Sequence, residues 1–468
     1  MKIYRLVLLL IIMSFTLLSS ISSGDEAIRR NLIAHGDFHG DIVNNLSEGW
    51  IAGAVRPVLA PTFRVVEKRG HRYLYMTGNK NPDCIGWVTT PVEITGGKTY
   101  WFRVRFRKSE TLNPLHHLRF EVGTRAASQE IIEFHRMKND WIEGETRIQF
   151  PGERTITADV RIIYRLCSKG EAWIQNISLV ETEPIQPRWV RVACTQGPGS
   201  LEEYNLEYFS RGLDVAGQNK VDLMLLPEYF NGEIVTETMS GPSVKVMSEK
   251  ARQYKMYVAG TIGIYDETKE RLHNAALLFD REGNLIGRYD KIHLYGPELD
   301  QEGVTPGDKV PVFSTDFGKV GFMICSDSWF SDVAELVALQ GADILLFPNL
   351  GYDRDLMHTR ALDNLINIVT SSRSGRYGVW DASGRDVMST PTVTGTFPAF
   401  KDVIIQKEGT LGILMVTLNL NYGISGGRRL PVARSRRHLG NQRIWLEDKI
   451  LEEKLRWWVD EAPAENPE

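Results

Sequence analysis

Along residues 28–183 apolar and polar side chains alternate. In Tyr100-Trp101-Phe102-Arg103-Val104-Arg105-Phe106-Arg107 the even positions are apolar and the odd ones are mostly Arg. Leu118, Phe120 and Val122 repeat the pattern, as do Val160, Ile162, Tyr164 and Leu166, and then Trp173, Ile177 and Leu179. Successive side chains of a strand point to opposite faces, so this period of two predicts strands with one face on a core and one in water. Clusters of Gly, Pro and Asn, such as residues 78–82, separate the runs. Many short alternating strands without a clear helix predict a β-sandwich.

The pattern changes after the Pro-containing stretch 182–188, which is expected to be a linker. From 188 to 425 apolar strand-like runs alternate with helical spacing. A strand at 189–194 is followed by Leu206, Phe209, Leu213 and Ala216 at helical intervals, then by a buried strand at 221–226. Helix–strand pairs follow at 244–254 and 256–262, at 333–339 and 344–347, and at 358–365 and 368–371. Such alternation predicts an α/β domain whose helices cover its sheets. Residues 426–468 form a tail with a basic run, Arg428, Arg429, Arg434, Arg436 and Arg437, and then a helix-like stretch in which acidic residues interleave with the basic ones. That mixture predicts a solvated face or a subunit contact rather than a membrane surface.

The chain has 468 residues, enough for two or three domains with their own cores. A formal charge of −4 gives no electrostatic case for nucleic acid as a partner. Lys2 and Arg5, the apolar run at 7–18 and the small residues 19–24 make the three parts of a secretory signal. A signal at 1–24 and a periplasmic or extracellular location are therefore expected, with an uncleaved anchor as the rival. The four cysteines are too few for a disulfide scaffold, although Cys84 and Cys167 are candidates for one bridge after export. Cys194 reads as core filler.

Three residues invite chemistry. Glu228 directly follows an apolar strand, the place where open α/β sheets put their sites. Lys291 lies in Tyr289-Asp290-Lys291-Ile292-His293-Leu294, and a fixed ammonium stabilises an oxyanion. Cys325 ends the run 320–324 ahead of a helix that Ser331 or Asp332 would cap and Gly341 would stop. A thiol on such a turn, near backbone dipoles and a lysine, is expected to favour the thiolate. Each residue alone has a plainer reading, as a solvated carboxylate, an ion-paired strand lysine and a buried structural cysteine.

Together, and in this order, they resemble the nitrilase superfamily of carbon–nitrogen hydrolases. The markers are Leu226-Pro227-Glu228, Tyr289–Leu294, Thr305-Pro306-Gly307-Asp308, Ile324-Cys325-Ser326-Asp327, residues 341–348 and Arg360-Ala361-Leu362-Asp363-Asn364. The resemblance implies a four-layer α-β-β-α sandwich, a homodimer and catalysis without metal or organic cofactor. It assigns Cys325 as nucleophile, Glu228 as acid–base, and Lys291 with the Ser326 backbone N–H as oxyanion holders. A second glutamate is expected at Glu298 or Glu302, with Glu298 favoured. Tyr229, Trp329 and Phe330 are candidates for the pocket, the last two equally for core packing. Asp327 is closer to amidase and carbamoylase branches than to true nitrilases. The substrate class implied is a non-peptide amide or N-carbamoyl compound, with nitriles as the alternative.

The first half resembles carbohydrate-binding jelly rolls in its opening Asn31-Leu32-Ile33, Gly36-Asp37-Phe38 and Trp50 and its closing segment 170–179. A glycan is therefore a possible partner of that module, and a catalytically silent glycan-binding protein is the rival from another class. Arg103, Arg105 and Arg107 beside Trp101 suit an acidic polysaccharide or a solvated face equally. His35 and His39 bracket Asp37, but without a third ligand cluster they are expected to form a loop rather than a metal site. Phosphate-loop and dinucleotide fingerprints are absent.

Overall fold

A computed structural model describes residues 30–422, apart from 125–127, 132–133, 151–152, 198–205, 233–234, 375 and 390–398. The expected signal at 1–24 and the tail at 426–468 lie outside the described residues.

The alternating half forms two large antiparallel sheets and a short two-stranded ladder of Ile42–Val43 with Leu46–Ser47. One has six strands, in the order Phe134–Arg136, Ile142–Gln149, Thr99–Lys108, Glu171–Thr182, His71–Thr77 and Thr62–Lys68. The other has five, in the order Ile51–Ala54, Ile85–Thr95, Thr155–Arg165, Leu118–Gly123 and Ser128–Glu130. Phe102, Val104 and Phe106 from the first sheet and Phe120, Val122 and Ile162 from the second meet in one buried core. The alternate residues Arg103, Arg105 and Arg107 are exposed, as the period of two requires. A bulge between Ile174 and Asn176 shifts the register of Glu171–Thr182, so Gln175 and Asn176 are neighbours without alternating.

Residues 189–419 build a second sheet system of thirteen strands. Trp189–Gln196, Leu223–Leu225, Tyr257–Asp266, Arg271–Phe279 and Leu285–Asp290, with Thr236–Glu237, Phe400–Glu408 and Leu411–Asn419 paired beside them, make one half. Asn367–Ser372, Ile344–Asn349, Lys319–Phe322 and Val312–Ser314, with Gly378–Trp380 paired to the first of them, make the other. The halves join at a single register pair, Gln196 with Ser372. Beyond that junction Val192, Leu225 and Leu278 of one half and Phe322, Leu346 and Ile368 of the other share a buried core. The opposite face of the first half, including Met224 and Val258, packs under the helices Leu206–Gln218 and Pro242–Tyr254. Asp332–Leu339 and Arg354–Asn364 pack on the second half through Val333, Val337, Met357 and Ala361. The result is the four-layer α-β-β-α arrangement. Cys194, fully buried in the shared core, is packing material.

Boundaries differ from expectation at two helices. The helix expected from 358 begins at Arg354, because the Asp353 carboxylate accepts the Asp355 N–H and caps it. The helix after Cys325 spans Asp332–Leu339, but Ser331 makes no side-chain cap. Instead Asp332 Oδ1 accepts the neighbouring Val333 N–H at 2.8 Å.

The His35–His39 segment is a loop in which the His39 ring contacts the Asp37 carbonyl at 2.9 Å. Among the described residues no three metal-ligating side chains gather. Cys84 and Cys167 are free thiols, yet they meet: Cys84 Sγ donates to the Cys167 carbonyl at 3.1 Å.

Candidate active site

The strand Leu223–Leu225 ends three residues before Glu228, and the chain turns there with Tyr229 at φ 49°. That turn delivers Glu228 into the interior, where it is 1% exposed. Lys291 lies one residue past the strand Leu285–Asp290. Its backbone is pinned on both sides: its N–H donates to the Asn274 carbonyl at 2.9 Å, and its carbonyl accepts the Gly307 N–H at 2.8 Å. A Cβ at Gly307 would fall 2.1 Å from the Asp290 carbonyl oxygen, which explains the glycine of the Thr305–Asp308 turn.

The Lys291 ammonium sits between two buried carboxylates. It donates to Glu228 Oε1 at 3.0 Å and to Glu298 Oε2 at 2.7 Å. Burial alone would discharge it, but Glu228 and Glu298 outweigh that cost and hold its pKa above the ordinary lysine value. Glu298, on the short helix Gly296–Asp300, also accepts from Tyr229 Oη and the Tyr295 N–H. Burial works against its charge, yet Lys291, Asn274 and the Tyr295 N–H keep its pKa below the usual glutamate value. The glutamate brought against the lysine is thus Glu298. Glu302, half-buried, ends the same turn with its N–H on the Pro297 carbonyl.

Asn274 completes the cluster and was not singled out from the sequence. Its side-chain N–H₂ donates to Glu228 Oε1 at 2.8 Å and to Glu298 Oε1 at 2.7 Å. The available signal was a fully buried polar residue interrupting the apolar strand Arg271–Phe279. A carboxamide in that run is costly unless something charged needs its donors.

Cys325 opens a tight 3-10 turn, Cys325–Trp329, with φ 41°. Asp327 braces this turn. Its Oδ2 accepts the Ile324 N–H at 2.9 Å and the Tyr289 hydroxyl at 2.7 Å. Ser326 Oγ donates to the His293 carbonyl at 2.6 Å. The thiol corrects one expectation. Burial, then the nearby Glu228 carboxylate, push it up to about 12, and Lys291 and the Leu350 backbone only partly offset this. Its surroundings therefore favour the neutral thiol over the thiolate. Glu228 Oε2 is buried and accepts no hydrogen bond among the described residues, which leaves it open to a proton.

Trp329 and Phe330 point outward, 60% and 49% exposed, and so are not core residues. Trp329 meets the Tyr295 ring edge-on at 6.0 Å, and Phe330 stacks on His293 at 4.2 Å. Tyr229 is buried with its hydroxyl on Glu298.

Residues 191–378 match the model of the carbon–nitrogen hydrolase family. A probable nitrilase of Schizosaccharomyces pombe is 34% identical over 204 residues, covering 39% of this chain and 74% of that protein. The chain belongs to the carbon–nitrogen hydrolase family. An omega-amidase of Xenopus tropicalis is 26% identical over 263 residues, covering 51% of this chain and 91% of that protein. Among solved structures, a branch 10 nitrilase-superfamily member from Saccharomyces cerevisiae aligns with a TM-score of 0.41 and 23% identity, over 55% of this chain and 96% of that one. As a carbon–nitrogen hydrolase, the protein acts on carbon–nitrogen bonds other than peptide bonds.

Proposed function

We propose that the protein is an exported hydrolase of a small amide or N-carbamoyl compound, working through Cys325, Glu228 and Lys291. The observation that carries this reading is the Lys291 ammonium shared between buried Glu228 and Glu298, beside a neutral thiol. Cys325 Sγ attacks the carbonyl carbon while its proton passes to Glu228, and charge develops on the carbonyl oxygen. Lys291 and the Ser326 backbone N–H hold that oxygen, where loss of one donor typically costs ~10²–10³ in rate. Glu228 then protonates the departing amine, leaving a thioester, and takes a proton from the water that cleaves it. The product acid leaves and the thiol is restored.

Export is supported by the charged, apolar and small-residue order of residues 1–24. The β-sandwich is read as a jelly-roll module on the motifs at 31–38 and 170–179.

Ammonia release from primary amides, N-carbamoyl compounds and nitriles, measured beside Cys325→Ala, tests the catalytic reading. The expected result is release from an amide or carbamoyl compound that disappears in the variant without loss of melting temperature. Undiminished turnover in Cys325→Ala overturns the mechanism, and consumption of nitriles alone moves the protein to the nitrilase branch.

A further inference from the structure

The outer face of the six-stranded sheet carries an arrangement that amide hydrolysis does not use. Trp141 is buried between Tyr73, stacked at 6.2 Å, and the guanidinium groups of Arg105 and Arg107 at 5.0 and 4.4 Å. Trp173 and Tyr75 pack 5.6 Å apart on the adjacent strands, and Arg64 lies over Tyr75 at 5.1 Å. A cleft of about 580 Å³ opens over this layer. Its floor includes Tyr73, Trp141 and Trp173, and its charged lining is Lys68, Arg69, Arg107 and Lys108 against one carboxylate, Asp140.

A second cavity of about 540 Å³ shares His71 and Gln175 with the first, so the two run together across the sheet. Its lining changes character. Arg72, Arg103 and Arg105 there are balanced by Asp37, Glu143 and Glu145, with Arg105 3.8 Å from Glu143, and the neutral groups Asn31, Gln175, Asn176 and Ser178 also line it. The Gln175–Asn176 bulge is what places two adjacent amides at this point.

We propose that this trough binds an anionic polysaccharide. The cationic cleft selects carboxylate or sulfate groups, because guanidinium and ammonium groups form their strongest hydrogen bonds with such anions. Partly exposed indole and phenol rings offer flat apolar surfaces for the C–H faces of sugar rings, and the amides and Ser178 match hydroxyls. An extended polymer fits better than a compact anion, because the trough is open and spans both cavities. Although the whole chain carries a net charge of −4, the first cleft sets four cationic side chains against the single carboxylate of Asp140, and that local excess concentrates polyanion attraction there.

The test uses the full chain in affinity gels containing polygalacturonate, chondroitin sulfate, dextran or polyglutamate. The first two probes separate carboxylate from sulfate recognition. Retardation by at least one of them, relieved by salt and absent on dextran, is expected. The Lys68→Ala/Arg107→Ala double variant and Trp173→Ala should each weaken it about tenfold or more, as loss of a binding hot spot does. Melting curves establish that the variants fold. No retardation on either acidic polysaccharide overturns the proposal. So does equal retardation by polyglutamate, which would assign the face to acidic proteins, or undiminished binding in either variant. Binding is read without turnover, so a failed amide assay leaves this result intact.

Discussion

Asp327, two residues beyond the thiol, accepts the backbone N–H of His293, two residues beyond the ammonium, at 2.8 Å. The Cys325 turn and the Lys291 segment are therefore fastened to each other through a carboxylate that is fully buried. Asp327→Ala would leave the Ile324 and His293 N–H groups and the Tyr289 hydroxyl without their acceptor. Each buried unsatisfied group costs about 1–3 kcal/mol. A large fall in melting temperature and loss of activity are expected together; a variant as stable as the parent would show that the clamp is dispensable.

Asn274 makes a separable contribution. Asn274→Ala removes one donor from each of Glu228 and Glu298, and hydrogen bonds to charged groups are worth about 1.5–3 kcal/mol. The expected outcome is a fall in kcat of about tenfold or more with a smaller change in KM. A change confined to KM would place Asn274 in substrate binding instead.

Alkylation reports the state of the thiol. With Cys325 pushed up to about 12 by burial and Glu228, its reaction with iodoacetamide should climb steadily from pH 7 to pH 10. A plateau below pH 8, followed by mass spectrometry of the Cys325 peptide, would mean a resting thiolate.

The acid limb of stability has a defined sign. Glu298 has a folded-state pKa below its ordinary value of 4.5, so its ionised form favours folding. That stabilisation is present above the ordinary value and is lost as pH falls through the lowered one. Urea melts of wild type and Glu298→Gln should show the variant less stable at pH 7, with a shallower loss between pH 5 and 3. Parallel curves would contradict the coupling.

Gly307→Ala tests close backbone approach. Relieving a Cβ only 2.1 Å from the Asp290 carbonyl must move the Lys291 backbone, and overpacking of this kind costs about 1–3 kcal/mol. Reduced melting temperature and disproportionately reduced kcat are expected; normal kinetics would mean that the turn yields without moving the lysine.

Much of this was legible because local patterns carried it. Alternation in Thr99–Lys108 reports a face, and the apolar run before Glu228 reports a strand end, whatever the tertiary setting. Glu228, Lys291 and Cys325 each lie just beyond such an end, so their places in the fold could be read from the sequence neighbourhood. What depended on distant neighbours was hidden. Asn274 is meaningful only because Glu228 and Glu298, 46 and 24 residues away, converge on it. The thiol's ionisation was misjudged for the same reason: helix dipoles and lysine are local cues, whereas its burial and the facing carboxylate arise from sheets packing together. The early start at Arg354 escaped because Arg354 and Asp355 add no apolar signal, while the cap that fixes the start is a single side chain.

The junction of Gln196 and Ser372 gives the site a mechanical character. Glu228, Asn274 and Lys291 hang from one half of the sheet system, and Cys325 hangs from the other. The thiol and the Glu228 carboxylate are thus carried on opposing plates that meet along one hinge-like edge and are otherwise held by the apolar filling between them and by the polar ties of Asp327 and Ser326 to the Lys291 segment. Turnover is then a gauge of how well the plates close. Loosening that filling would separate thiol from carboxylate while each half kept its strands and helices, so catalysis would fade before secondary structure did.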